Sequence, residues 1–323
     1  MNPSSPLPSG TFRDQVAFVT GGGTGLGLAV SRLLGRLGAR VVCASRDVAH
    51  HALLLELGRS EGFEVLSLAM DVRDPAAVKA AVRASVERFE RIDVLINNAA
   101  GNFVRPALLL APKAFATVID IALNGVFNVS REVGKHMVER GQGGVIVNIS
   151  APYATTGKPG VIHSACAKAG VDALTKTLAA EWAPHKIRVN AVAPGPFVSQ
   201  GAAERLWPSD EIEAAVRRQI PLGRFGTAEE VAHVVALVAS PLTPWMTGSV
   251  LVLDGGWSLP TSLAGDVPLS ALRRRRTPSS DASSAPPSGV HDRSCGPRDR
   301  PPHATALVRR PPPTALARLP RPR

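Results

Sequence analysis

Aromatic residues are scarce in this 323-residue sequence, at 4%, and it contains a single tyrosine, Tyr153. The three cysteines, Cys43, Cys166 and Cys295, are odd in number, far apart and free of any CxxC pair. They fit neither a disulfide framework nor a zinc site. The eight histidines form no HxxxH or HxH pair, so no metal is expected. No apolar run reaches the ~20 residues that a membrane span needs. The N-terminal stretch MNPSSPLPSGTFRDQ lacks both a basic n-region and an apolar h-region, so it does not read as a secretory signal. Together these absences point to a cytoplasmic globular protein without a membrane span.

What charge there is lies unevenly. The chain carries +11, yet residues 260–323 hold twelve arginines, no lysine and four aspartates, a local balance of +8. The remaining 25 basic and 22 acidic side chains leave residues 1–259 near neutrality. A body of that balance gives no electrostatic reason to expect nucleic acid. The region 260–323 also holds 13 of the 28 prolines, with RRRR at 273–276 and PPP at 311–313. It has no periodic apolar stripe and too little apolar surface to offset the entropy of ordering, so it reads as a basic, Pro/Arg/Ser-rich disordered tail. A basic arm for nucleic acid or acidic lipid is the functional alternative. Residues 1–13 read as a short flexible segment, which leaves 14–259 as the domain.

Within that domain, seven short apolar runs alternate with longer helical patterns. VAFV (16–19), RVVCAS (40–45), EVLSLAM (64–70), IDVLI (92–96), GVIVNI (144–149), IRVNAV (187–192) and SVLVL (249–253) are nearly continuously hydrophobic. Strands covered on both faces have that composition. Between the first two, Leu26, Val30, Leu33, Leu34 and Leu37 keep one stripe of a helix against a sheet. The alternation predicts an α/β fold: a single doubly wound, parallel, seven-stranded sheet of Rossmann type with helices on both faces.

Directly after the first predicted strand, Thr20–Gly27 reads TGGGTGLG. Gly21 suits a tight turn, while Gly25 and Gly27 allow backbone and helix to approach a pyrophosphate at the helix N-terminus. Gly23, Thr24 and Leu26 complete this candidate dinucleotide site. The second strand ends in Ser45-Arg46, where an NAD site usually has a carboxylate. An arginine there suits a ribose 2′-phosphate, so NADP(H) is the expected cofactor, with a solvated surface arginine as the alternative. Asp71 stands where a carboxylate could accept from the adenine amino group, or it merely starts the DVRDP turn.

The ordered series TGGGTGLG, Asp71, NNAAG (97–101), VNIS (147–150), Lys168 and Pro194-Gly195 resembles the short-chain dehydrogenase/reductase superfamily over about 245 residues. The resemblance implies cofactor contacts from Thr20, Val72, Asn98, Ala99, Pro194, Gly195, Pro196 and Phe197 as well. The usual active-site pattern is broken, however. Four residues before Lys168 stands Ser164 instead of the common tyrosine, Ala151 follows Ser150 where a serine commonly assists, and Ala122 replaces a helix asparagine. A serine hydroxyl is a far weaker acid than a phenol, so ordinary ketone reduction is not indicated.

One branch is matched in this respect. NNAAGNF (97–103), DIALNG (120–125), the Tyr153–Ser164–Lys168 spacing, LAAEW (178–182) and PGPF (194–197) resemble the mitochondrial-type 2,4-dienoyl-CoA reductases. That resemblance implies reduction of a 2,4-dienoyl-CoA to a 3-enoyl-CoA in unsaturated fatty-acid breakdown, with Tyr153 and Asn102 holding the thioester oxygen. Lys168 would bind the nicotinamide ribose, and Ser164 would support the cofactor or Tyr153. Arg73, Phe103 and Arg205 would contact the acyl-CoA. A homotetramer formed through helices at roughly 112–138 and 160–183 is implied as well. Local readings remain open beside these: Tyr153 as a loop residue capping the sheet, Asn102 as a turn residue, Lys168 as a solvated side chain, and Arg73 and Arg205 as surface arginines. Cys166 reads as a small packed residue, since no nearby base would activate it. The alternative functions are a 2-enoyl-CoA or other acyl thioester reductase, and a non-catalytic NADP(H)-binding protein.

Overall fold

The computed structural model describes residues 7–198 and 209–259. The proposed tail, 260–323, and Arg205 lie outside the described residues. Seven strands form one sheet: β1 (Val16–Thr20), β2 (Arg40–Ser45), β3 (Val65–Ala69), β4 (Val94–Asn97), β5 (Gly144–Ile149), β6 (Ile187–Pro194) and β7 (Val250–Leu253). Their order is β3-β2-β1-β4-β5-β6-β7, and every neighbouring pair is parallel. The chain therefore reverses its direction of winding between β1 and β4, where a doubly wound sheet opens its ligand crevice.

Period-2 alternation divides the strand residues between two cores. Ala17, Val19, Val41, Cys43, Ile96 and Val147 face one side, against Leu26, Val30 and Leu34 of helix α1 (Gly25–Arg36) and Leu54 of α2 (Ala52–Glu61). Val16, Phe18, Val42, Leu95 and Ile146 face the other, against Val78 and Val82 of α3 (Pro75–Phe89). Each fully buried leucine or phenylalanine in these layers contributes about 1.5–3 kcal/mol. Helix starts are chemically marked. Asp74 accepts from the Ala76 N–H ahead of Pro75 at the first position of α3.

The long helix expected over 112–138 is interrupted. It runs as α4 (Pro112–Ile119), a π-helical turn at Asp120–Asn124, and α5 (Gly125–Arg140). Ala122 lies buried in that turn and packs with Val118 and Ala167. After β5 come a short helix α6 (Tyr153–Thr156) and the long α7 (Ile162–Trp182). Beyond β6 follow α8 (Asp210–Arg218) and α9 (Ala228–Ala239), the latter opened by a capping box between Thr227 and Glu230. The 7–13 stretch, expected as part of a flexible segment, is anchored at two points: Phe12 is fully buried, Leu7 joins the same core, and the Phe12 N–H donates to the Leu37 carbonyl. Among the described residues no helix is long and apolar enough to cross a membrane.

Candidate active site

The crevice at the C-terminal ends of β1, β2 and β4 is a cleft of about 560 Å³. Its lining includes Gly21, Gly23, Thr24, Leu26 and Gly27 from the glycine-rich turn, Ser45 and Arg46 after β2, Asp71 and Val72 after β3, and Asn98 and Ala99 after β4. These are eleven of the residues singled out from the sequence. Ala44, Asp47, His50, Met70, Ala100 and Ile121 complete the lining and were not anticipated.

Asn98, just after β4, and Thr20, at the end of β1, tie the turn in place. Asn98 Nδ2 donates to the carbonyls of Thr20 and Gly21 at 3.0 and 3.1 Å, while Thr20 Oγ1 accepts from the N–H groups of Asn98 and Ala99, both at 2.9 Å. Thr20 is buried, so it shapes the turn and does not line the cleft. Gly21 has φ +64°, in the region that disfavours a Cβ. A Cβ on Gly27 would lie 2.0 Å from the Gly21 oxygen, so turn and helix close on each other only at glycine. This leaves the α1 N-terminus open to the cleft, an arrangement suited to a dinucleotide pyrophosphate. The cradle and the cleft volume together fit an NAD(P)-type cofactor.

Asp71 carries the turn role that its sequence allowed: its carboxylate accepts from the Arg73 N–H at 3.0 Å and is chelated by the Arg73 guanidinium, with a shortest contact of 2.5 Å. That pairing holds the Asp71 pKa below its ordinary value. Arg73 also borders a separate shallow cavity with Asp120, Asn124, Phe127 and Asn128. None of residues 194–197 is among the residues lining this cleft. The Gly195 N–H donates to the Leu253 carbonyl, Gly195 is packed on Asp254, and Phe197 pairs with Gly226 in a two-residue parallel ladder. Pro194 ends β6, whereas Pro196 and Phe197 line a small cavity with Leu222 and Arg224.

The second half of the site is a chain of polar side chains. Asn102 Nδ2 donates to the Tyr153 hydroxyl at 3.3 Å, and that hydroxyl lies 3.0 Å from Ser164 Oγ. Asn102 is itself oriented, because its Oδ1 accepts from the Phe103 N–H at 2.9 Å. If Ser164 donates to the phenolic oxygen as Asn102 does, the Tyr153 proton is left for a third partner. Burial, partly offset by the Ser164 bond, pushes the Tyr153 pKa above its ordinary value. The group therefore stays a neutral donor at physiological pH. Phe103 stacks on His163 with ring centroids 4.4 Å apart, and His163 is fully buried. Nothing in the sequence pattern had drawn attention to His163.

Lys168 is buried rather than solvated, and its Nζ donates to the Ile149 carbonyl at 2.6 Å. Burial brings its pKa down to about 8, against an opposing pull from Asp172 one helical turn away. Ser150, next to the Ala151 that replaces the usual serine, donates to Asp172 Oδ1 at 2.5 Å. Beneath this cluster, Asn97 Nδ2 donates to Ser130 and Asn148, and Asn148 donates to Thr175. That buried network fixes α5 and α7 to β4 and β5, and so sets the height of Ser164 and Lys168. Cys166 is exposed in the described chain, not packed as its sequence suggested: it shares α7 with the buried Ser164, Ala167 and Lys168 but projects from a different face.

Comparison with known proteins identifies the family. Residues 21–258 match the family model described as Enoyl-(Acyl carrier protein) reductase. The chain is 45% identical over 247 residues to a Pongo abelii protein named peroxisomal 2,4-dienoyl-CoA reductase [(3E)-enoyl-CoA-producing], covering 76% of this chain and 84% of that one. It is 41% identical over 245 residues to a Bacillus subtilis protein named probable 2,4-dienoyl-CoA reductase [(2E)-enoyl-CoA-producing], covering 75% and 96%. Among solved structures, a gluconate 5-dehydrogenase from Burkholderia cenocepacia in complex with NADP and tartrate is 31% identical with a TM-score of 0.73, covering 78% of this chain and 99% of that one.

Proposed function

This chain belongs to the short-chain dehydrogenase/reductase family and is an oxidoreductase, and from that premise we propose that it reduces 2,4-dienoyl-CoA to 3-enoyl-CoA with NADPH. The observation that carries the reading is the meeting of Asn102, Tyr153 and Ser164 at one phenolic oxygen. Arg46 at the rim of the cleft supports the choice of NADP(H), since a planar guanidinium suits a 2′-phosphate.

A bound nicotinamide supplies a hydride, which the reaction places on the distal carbon of the conjugated diene. The residues act on the charge that this creates. Two electrons entering the far end of the diene push negative charge onto the thioester oxygen, and Tyr153 and Asn102 donate to that oxygen. A donor aimed at developing charge in a dry site can be worth up to about 4 kcal/mol. A proton taken up at the α-carbon, ultimately from water, completes the addition of two hydrogens and leaves the 3-enoyl thioester. Tyr153 never has to give up its proton, which is why a phenol that burial makes a weaker acid suits this role. Lys168, charged below its pKa of about 8, would hold the ribose hydroxyls. Phe103 on its His163 platform would border the acyl chain. The exposed Phe127 on α5 and Ile162 at the start of α7 support self-association through these helices, which sedimentation would test.

The direct test follows NADPH absorbance with a medium-chain 2,4-dienoyl-CoA and, in parallel, a 2-enoyl-CoA. Turnover that requires the diene and forms a 3-enoyl product supports the reading. Equal turnover of the 2-enoyl thioester moves the assignment to a general enoyl thioester reductase, in keeping with the name of the matched family model. Tight NADPH binding without turnover of either would point to a silent cofactor-binding protein.

A further inference from the structure

The residue that would meet the cofactor's ribose, Ser45, is not free to choose its hydrogen bonds. Its Oγ lies 3.1 Å from the Asp47 carbonyl and 2.6 Å from Nε2 of His51. His51 closes the short 3₁₀ turn Val48–His51, is fully buried, and places Nδ1 2.6 Å from Ser67 Oγ on β3. The glycine-rich turn packs directly above it, for a Cβ on Gly23 would lie 2.8 Å from His51 Cδ2 and 2.4 Å from the His50 carbonyl. His51 therefore joins β2, β3 and the glycine turn beneath the end of the cleft that Ser45, Arg46 and His50 line.

Counting protons shows what this chain of contacts does. With neutral His51, one arrangement satisfies all three contacts: Ser67 donates to Nδ1, Nε2–H donates to Ser45, and Ser45 donates to the Asp47 carbonyl. In the other tautomer Ser45 donates to Nε2. Either way the Ser45 proton stays inside the protein, and the cleft sees only its lone pairs. These suit a ribose 2′-hydroxyl, which donates, and offer nothing to a 2′-phosphate, which only accepts when dianionic. With charged His51 both ring nitrogens donate; Ser45 still accepts from Nε2–H and keeps the Asp47 carbonyl as its acceptor, so what changes at the cleft is a positive charge one hydroxyl away, beside Arg46.

We propose that His51 is a proton-linked specificity residue for the cofactor: charged, it places a positive charge one hydroxyl from the cleft and favours the 2′-phosphate of NADP(H) over a ribose 2′-hydroxyl. The inference rests on the reading of the cleft as an NAD(P)(H) site. The charged groups acting on His51 are His50, which disfavours its protonation, and Asp47, which favours it; β2 and β3 meet it with the serines Ser45 and Ser67, and the glycine turn with backbone. Burial keeps its pKa below the ordinary value in the free protein. A 2′-phosphate would raise it, so NADPH binding takes up a proton and strengthens as pH falls.

The test measures Kd for NADPH and for NADH by direct binding from pH 5.5 to 8.5, in the full-length protein and in His51→Gln, with His185→Gln as a control. Phosphate monoesters themselves titrate near pH 6, a background common to all three proteins. The expected result is an NADPH preference that rises toward low pH about tenfold more in the parent than in His51→Gln, the change that follows from a one-unit pKa difference between the two complexes. His185→Gln, on the exposed turn just before β6, should keep the parent slope. In the unaltered protein, the His51 ring proton followed by NMR should titrate at higher pH with NADPH than with NADH. Parallel slopes in parent and His51→Gln, or identical His51 titrations in the two complexes, would overturn the proposal alone. Failure of both cofactors to bind would instead remove the reading of the cleft, and this inference with it.

Discussion

The two halves of the site are built from different materials. The cofactor side is made of backbone: glycines pressed so close that added carbons would collide with main-chain oxygens, held by Thr20 and Asn98. The reacting side is made of side chains: Asn102, Tyr153 and Ser164 come from three separate segments and meet through single hydrogen bonds, with Lys168, one turn along α7 from Ser164, anchored on the Ile149 carbonyl. Backbone cradles fail completely when altered, because their atoms cannot move aside. Side-chain networks fail by degrees, because each member can be removed without disturbing the fold. The chemistry should therefore be separable from cofactor binding.

The comparison would be broken most readily at Gly27. Gly27→Ala should abolish dinucleotide binding and lower stability by about 3 kcal/mol, the upper end of the usual cost of overpacking, as read by cofactor titration and thermal unfolding. Tyr153→Phe should leave NADPH affinity and Tm near the parent values while lowering kcat about 10²–10³-fold, the loss typical of one oxyanion donor. A parallel loss of cofactor binding in that variant would blur the division. The pH dependence sharpens it. Lys168 has a depressed pKa of about 8, so its charge is complete well below that pH and is lost as pH rises through it. Ribose binding and kcat/KM should then fall above pH 8, and Lys168→Arg should move that limb to higher pH. The smallest effect belongs to Asn102→Ala, which removes one neutral donor: about tenfold in kcat, with Tyr153 left in place by Ser164.

Legibility in the sequence follows the same division. The seven strands could be read because strands covered on both faces are continuously apolar, and TGGGTGLG because a turn this tight admits few residue types. The π-helical turn at Asp120–Asn124 left no such mark, since its distinguishing feature is one extra residue per turn and not a residue type. Phe12 was missed because a lone apolar residue before the first strand has no period to declare its burial. Cys166 and Lys168 share α7, and an alanine-rich helix with little contrast between its faces does not reveal which side is buried. Tyr153 and Asn102 stand 51 residues apart, and only the family resemblance joined them before the fold did. His51 offered no motif at all. Its significance lies in two serines that strand pairing brings to it.

The most direct measurement is a crystal structure of the protein with NADP⁺ and a 2,4-dienoyl-CoA. The thioester oxygen should lie about 2.7–3.2 Å from both the Tyr153 hydroxyl and Asn102 Nδ2. A thioester oxygen turned away from both groups, with Tyr153 bonded only to Asn102 and Ser164, would contradict the assignment of the reacting side.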